Sequence, residues 1–360
     1  EKGGWVPVFP ATGHRMAQRI IPEADGHIFF PFDLPVITER IVNIVNPKAI
    51  ILIETELWPN FLRLAWRKKI PVMMMNGRIS GRSMRRYSLI KRFTTRMLLQ
   101  IRKFCMQSKI DRERIISMGA IPQRVVITGN TKYDQTYAEV SEEERAKLRR
   151  EFRFEGKGPI IVAGSTHGGG EEIVGRTLGK ILEKYPNARL LLAVREITRA
   201  ASVRFMIKHQ GYTVLRRSKM GTDEDDGKGA QIVILDTIGE LGRLYSLADV
   251  VFVGGSFVKV GGHNILEPAA HGKPVLVGPY MFNFQEIFEL LSQRGVCIMT
   301  PDEKSFETTL LDLLGNPEKM KKMGEAALEV VHENQGATER NIASFEELVK
   351  EYGIKLRGKA

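Results

Sequence analysis

The side chains best suited to chemistry in this chain concentrate in residues 251–268, VFVGGSFVKVGGHNILEP. The run opens as a β-branched apolar strand and breaks into two glycine pairs, Gly254-Gly255 and Gly261-Gly262. It continues through His263 and Asn264 into ILEPAAHG, which reads as a helix. A glycine loop between strand and helix lets the backbone approach a ligand closely, and the first-turn N–H groups point at an anion. Asn264 suits the N-cap. Glu267, one turn in, would repel phosphate, so its carboxylate reads as an acceptor for sugar hydroxyls. Phosphate on the turn Gly262, His263, Asn264, Ile265 and Leu266, with ribose on Glu267, describes a nucleotide site. One glycine pair after a strand is an ordinary tight turn; two pairs followed by His-Asn-x-x-Glu-Pro are more specific.

Four further segments carry reactive or ionic groups. The strand IIVA runs into Gly164-Ser165-Thr166-His167 and a glycine triplet, a second phosphate-friendly loop. It has no lysine at the P-loop position, which disfavours ATP hydrolysis. Ser165 and His167 are its candidates, although a lone histidine is more often a structural hydrogen-bonder. ARLLLAV ends at Arg195, and QIVILDTIGEL places Gly239, Glu240 and Leu241 at a helix start whose N–H groups can meet a base edge or a phosphate. AIILIE ends in Glu54 and Glu56, which either close a strand at the surface or face a ligand. RVVITGNTKYD sets Lys132 at the mouth of another strand, as a plain surface cation or as a partner for phosphate or carboxylate.

Strands alternating with helical patterns, and strands that are continuously apolar, predict parallel doubly wound α/β sheets, whose ligands gather at the carboxyl ends of strands. A length of 360 residues suggests two domains. The composition turns highly charged after residue 135, which leads to domains at 1–145 and 146–340, with 341–360 as a final helix. Cys105 and Cys297 are far apart with no CxxC, which fits a reducing compartment and argues against a cysteine-based zinc site. No apolar run is long enough to span a bilayer. The net charge is +12, and between Leu57 and Ile110 there are 14 Lys or Arg and no acid. The stretch from Arg63 to Lys109, with Tyr87, Leu89, Ile90, Phe93, Met97 and Leu98 among its arginines, reads either as an ordinary solvated helix or as a basic amphipathic helix for an anionic membrane surface. No nucleic-acid-reading motif accompanies it, so nucleic acid ranks below membrane or phosphorylated lipid.

The motifs ETELWPN, NGRIS, GNTKYD, GSTH, DTIGEL and GGSFVKVGGHNILEPAAHGKPVLVGP jointly resemble the 3-deoxy-D-manno-octulosonic acid (Kdo) transferases, from about residue 8 to 350. The resemblance implies a GT-B fold, with two Rossmann-like domains facing a cleft and the final helix, 341–360, crossing back to the first domain. It implies a metal-independent, inverting transfer of Kdo from CMP-Kdo to a lipid A precursor, lipid IVA, at the cytoplasmic face of the bacterial inner membrane. No cofactor is implied besides the donor substrate. It carries catalytic roles onto Glu54 and Lys132 and nucleotide contacts onto Arg195 and the loop residues above. Two departures stand out. The family pattern Pro-Arg-His is here Val194-Arg195-Glu196, and the family's base glutamate, in A-S-x-G-E ahead of WVPVF, has no counterpart. The expectation is an N-terminally truncated transferase, lacking a first strand and helix, that binds CMP but transfers Kdo poorly. The alternatives are a GT-B enzyme using a UDP-sugar and a non-catalytic basic module binding anionic lipid or nucleic acid.

Overall fold

The structure, a computed structural model, describes residues 4–8, 11–30, 32–135, 137, 139–156, 158–222 and 228–355. The chain divides into two compact units, Glu1–Asp134 with Asn334–Ala360, and Gln135–Glu333. The charged helix Glu142–Glu151 suggested a later first boundary. The division falls earlier because the Asp134 carboxylate accepts the N–H groups of Gly336 (2.6 Å), Ala337 (3.3 Å) and Thr338. This ties the head of the last helix, Ala337–Glu351, to the first unit.

In the first unit, β1 (Trp5–Val8) and β2 (Gly26–Phe29) pair with each other. β3 (Ile50–Ile53), β4 (Val72–Gly77), β5 (Lys103–Met106) and β6 (Val125–Ile127) form a separate parallel sheet in that order. The expected parallel pairing is present, but in two sheets rather than one. The basic stretch is likewise two helices, Gly81–Leu89 and Lys91–Leu98, not one. Ile90 leaves the helical region at φ −117°, ψ 38°. The Thr94 hydroxyl donates to the carbonyls of Tyr87 (3.1 Å) and Ile90 (3.3 Å) at the break.

The second unit holds β7 (Ile160–Thr166), β8 (Arg189–Val194), β9 (Val214–Arg216), β10 (Ile232–Leu235), β11 (Val250–Val253), β12 (Val275–Val277) and β13 (Cys297–Met299). They make one parallel sheet in the order β13-β12-β11-β7-β8-β10-β9. β9 was not anticipated: it is three residues long with a single buried side chain, too little for a period to show. β10 and β11 are buried along their whole length, and the helices Gly170–Lys184, Ala200–His209 and Glu303–Leu314 supply the facing apolar residues. Each fully buried Leu, Ile or Val there contributes about 1.5–3 kcal/mol. From β7 the chain builds outward to β8, then returns to β11 on the other side. Strand order therefore reverses between β7 and β11, the place where an open α/β sheet leaves a crevice at its carboxyl edge. The two glycine loops are the connections that leave β7 and β11.

The polar loop expected over residues 219–229 falls largely on 223–227, which lie outside the described residues.

Candidate functional site

The loops that leave β7 and β11 contain positions that only glycine fits. At Gly254 an added Cβ would lie 2.4 Å from the Ser165 carbonyl oxygen, so the loops leaving β7 and β11 touch backbone to backbone. Gly261 and Gly262 hold φ values of +102° and +74°. Around them Asn283 closes the turn, its backbone N–H donating to Gly261 O (3.0 Å) and its amide to Val260 O (2.9 Å). Ser165 reaches φ +53° without being glycine, at the end of β7. Such left-handed residues cost about 1–3 kcal/mol and tend to persist at functional positions.

The two loops are joined by their histidines. His167 Nε2 and His263 Nε2 lie 2.8 Å apart, with ring planes within 5° of parallel. Burial lowers the His263 pKa to about 4, helped by His167 and Arg195. Burial also lowers His167, with Glu196 and Glu171 pulling it upward and Arg199 and Arg195 downward. Both rings are therefore neutral at pH 7, one donating its proton to the other. Arg195 leaves β8 beside them; its N–H donates to Thr166 O (3.0 Å), and its exposed guanidinium has no partner among the described residues.

Asn264 caps the turn from one residue further out than expected. The helix is only Leu266–Ala270, with Ile265 at its formal N-cap, yet the Asn264 side-chain oxygen accepts the Leu266 N–H (3.0 Å). The Asn264 amide reaches Glu267 Oε1 at 3.4 Å. Glu267 is partly buried. Burial raises its pKa above the ordinary 4.5, and the Asn264 contact offsets only part of that. Ile265 and Leu266 are fully buried, so only their backbone can serve a ligand.

Sequence reasoning missed three neighbours. Tyr137 stands by Asn264 and Glu267; burial, which outweighs its hydrogen bond to Asn264, and the Glu267 charge push its phenol up to about 12. Tyr245, fully buried, also faces Glu267, and its hydroxyl fills the space a Cβ on Gly164 would need. Arg199 forms a bidentate pair with Glu171 (2.8 and 3.1 Å), a carboxylate with 0% exposure that also accepts from Thr166 (3.2 Å). This pair braces the His167 loop: an added Cβ on Gly168 would meet Arg199 at 3.1 Å. Tyrosine and arginine spacing carries no signal for such contacts.

Gly239, Glu240 and Leu241 sit after β10. Gly239 has φ +90°, and the helix that follows is only Leu241–Leu244. The Glu240 carboxylate is taken up by Arg217 (3.1 Å), Arg243 (3.1 Å) and the Thr237 hydroxyl. Asp236 is buried against Arg216 (2.7 Å) and Ser218. Glu240 is thus saturated within the protein, and what this turn offers a ligand is its backbone.

The first unit has its own strained strand ends. Glu54 follows β3 at φ +60° and Asn76 lies within β4 at φ +52°. Glu54 N–H donates to Met75 O (3.0 Å), and the Thr55 hydroxyl to Arg78 O. Asn76 is buried, and its side-chain oxygen accepts the Thr131 N–H (3.1 Å), anchoring the turn Thr131–Asp134 that carries Lys132. Glu54, Asn76 and the Lys132 turn therefore belong to the same carboxyl edge.

Comparison with known proteins agrees with this architecture. Residues 5–135 match the family of 3-deoxy-D-manno-octulosonic-acid transferases (kdotransferases), and residues 222–330 match the glycosyl transferases group 1 family. The 3-deoxy-D-manno-octulosonic acid transferase of Haemophilus influenzae is 36% identical over 333 residues, covering 92% of this chain and 77% of that protein. The transferase of the same name from Bordetella pertussis is 29% identical, covering 94% and 79%. Among solved structures, Anabaena HepE in complex with UDP superposes with a TM-score of 0.61 at 12% identity, covering 96% of this chain and 92% of that one, a likeness of fold. With these sequence matches and two parallel α/β units of the GT-B class, the chain belongs to the 3-deoxy-D-manno-octulosonic acid transferase family of glycosyltransferases.

Proposed function

We propose that the second unit binds CMP-Kdo and that Kdo passes to a hydroxyl of a lipid A precursor, lipid IVA, with inversion at the anomeric carbon and without a metal ion. The observation that carries this reading is Glu267. It is a partly buried carboxylate held by Asn264 at the carboxyl edge of the sheet, beside the reversal of strand order. A ribose offers the hydroxyl donors that an acid in this place lacks. The backbone of residues 262–266 and the unpartnered Arg195 are the groups available to the phosphate, and they supply the charge that a departing CMP requires. Neutral His263 and His167 donate or accept single hydrogen bonds and add no charge.

An inverting transfer also needs a base for the acceptor proton. The family motif A-S-x-G-E does not occur in this sequence. Glu54 and Lys132 are an acid and a cation on the first unit's carboxyl edge, and they are the groups of this chain proposed to serve the acceptor hydroxyl. For the acceptor's membrane, the junction of the two basic helices exposes Leu89 (86%), Ile90 and Phe93 among arginines, which suits an anionic surface. Among the described residues no helix is long and apolar enough to cross a membrane.

The test is calorimetric titration of the chain with CMP and with UDP. CMP binding at least tenfold tighter than UDP, lost in Glu267→Gln, is the expected result. Equal affinities would assign the site to a UDP-sugar enzyme. No nucleotide affinity, with only salt-sensitive lipid or nucleic-acid binding, would leave a non-catalytic basic module.

A further inference from the structure

The four-stranded sheet of the first unit has a second opening, at the edge opposite Glu54 and Asn76. A hollow of about 430 Å³ lies where the chain enters β4 and β5. Trp66, Arg67 and Lys69 reach it from the end of the helix Pro59–Arg67, Gln100 and Arg102 from the connection into β5, and Tyr352 from just past the helix Ala337–Glu351.

Its chemistry is one-sided. No carboxylate lines it, and the side chains of Arg67, Lys69 and Arg102 have no hydrogen-bond or ion-pair partner among the described residues. Arg67 and Lys69 have a local reason to be basic, since a helix carboxyl end favours cations. Arg102 has none: it enters β5 and is only partly exposed. Trp66 is 55% exposed, a large ring left in solvent at the rim, while Tyr352 is held against the Met73, Cys105 and Leu348 cluster. The Gln100 side-chain oxygen is buried without a hydrogen-bond partner.

We propose that this hollow binds a phosphorylated sugar. The phosphate takes the Arg67, Lys69 and Arg102 charges, and the ring lies on Trp66 and Tyr352. Bidentate arginine suits phosphate, and an aromatic wall with a few placed polar groups is the usual make-up of a small-ligand site. The site is separate from the nucleotide crevice, which belongs to the other unit.

The full chain is titrated with glucose 1-phosphate, inorganic phosphate and glucose, followed by tryptophan fluorescence and calorimetry. The chain has three tryptophans, and Trp66→Phe identifies the reporter. Saturable binding of the sugar phosphate is expected, at least tenfold tighter than either control. It should be weakened tenfold or more by Arg102→Gln and unchanged in Glu267→Gln. If Arg102→Gln does not fold by circular dichroism, Lys69→Gly suits the left-handed backbone at φ 58° and replaces it. Vesicles carrying phosphatidylinositol 4-phosphate separate the sources. Pelleting that the free sugar phosphate competes assigns the hollow to a headgroup; solution binding without pelleting assigns it to a soluble sugar phosphate. Inorganic phosphate binding as tightly as the sugar phosphate, binding that survives the loss of these cations in a folded chain, or binding lost in Glu267→Gln would overturn the proposal.

Discussion

Glutamine at position 267 keeps the shape of the side chain and removes its charge. If the carboxylate accepts the two ribose hydroxyls of a cytidylate, two charge-assisted bonds become neutral ones. Hydrogen bonds to a charged group contribute about 1.5–3 kcal/mol each and neutral ones about 0.5–1.5 kcal/mol. The net loss is then about 2–3 kcal/mol, which weakens CMP binding roughly 30- to 150-fold. Stability should move the other way. Burial raises the Glu267 pKa in the folded chain above its ordinary 4.5. The folded state then holds its proton to higher pH than the unfolded state, so ionisation costs stability as pH rises from about 4.5 through the folded pKa, and that cost persists at pH 7. Glu267→Gln removes it. The assay is CMP calorimetry at pH 7 paired with thermal unfolding at pH 4 and 7. Expected are a large loss of affinity, an unchanged or raised melting temperature at pH 7, and CMP affinity that falls on acidification in the parent chain but less in the variant. A variant that binds CMP within threefold of the parent refutes the sugar-clasping role. A variant whose melting temperature falls by several degrees at pH 7 refutes the buried-charge argument.

Gly254→Ala places a Cβ 2.4 Å from the Ser165 carbonyl oxygen and 2.6 Å from the Thr166 Cα, both backbone, so the loops after β7 and β11 must part. A destabilisation of about 1–3 kcal/mol with weakened CMP binding is expected from urea unfolding and calorimetry. Because the His263 pKa is depressed to about 4, its contribution to stability is present above its ordinary 6.5 and is lost as pH falls through the window from 6.5 to about 4. Unfolding midpoints should drop across that window, His263→Asn should flatten the drop, and NMR titration of the ring should find no protonation near pH 6. Replacing Leu89 and Phe93 together by serine should cut sedimentation with anionic vesicles several-fold without changing the melting temperature, since both side chains are exposed.

Much of the architecture can be read from local pattern. Runs such as VMMMNG, LLLAV and VVFV are buried strands because parallel sheets cover both faces, and that pattern needs no knowledge of distant residues; IILI, equally apolar, instead alternates, with Ile51 and Ile53 exposed. Glycines 254, 255, 261 and 262 announce a loop that must approach something closely, and the family motifs name the chemistry. The sequence also placed Glu267 and Asn264 together, because three residues along one turn is a short-range relation.

Tertiary structure alone decided what surrounds them. His167 and His263 meet across 96 residues only because β7 and β11 are neighbours at the reversal of strand order. The Glu171–Arg199 brace, Tyr137 and Tyr245 around Glu267, and Asp134 holding the head of the last helix are likewise products of strand order. So is the hollow near Arg102, whose lining comes from three separate parts of the chain. Spacing along a chain encodes which face of a helix or strand a residue occupies. It does not encode which distant loop arrives opposite, since that depends on the packing of every element between them.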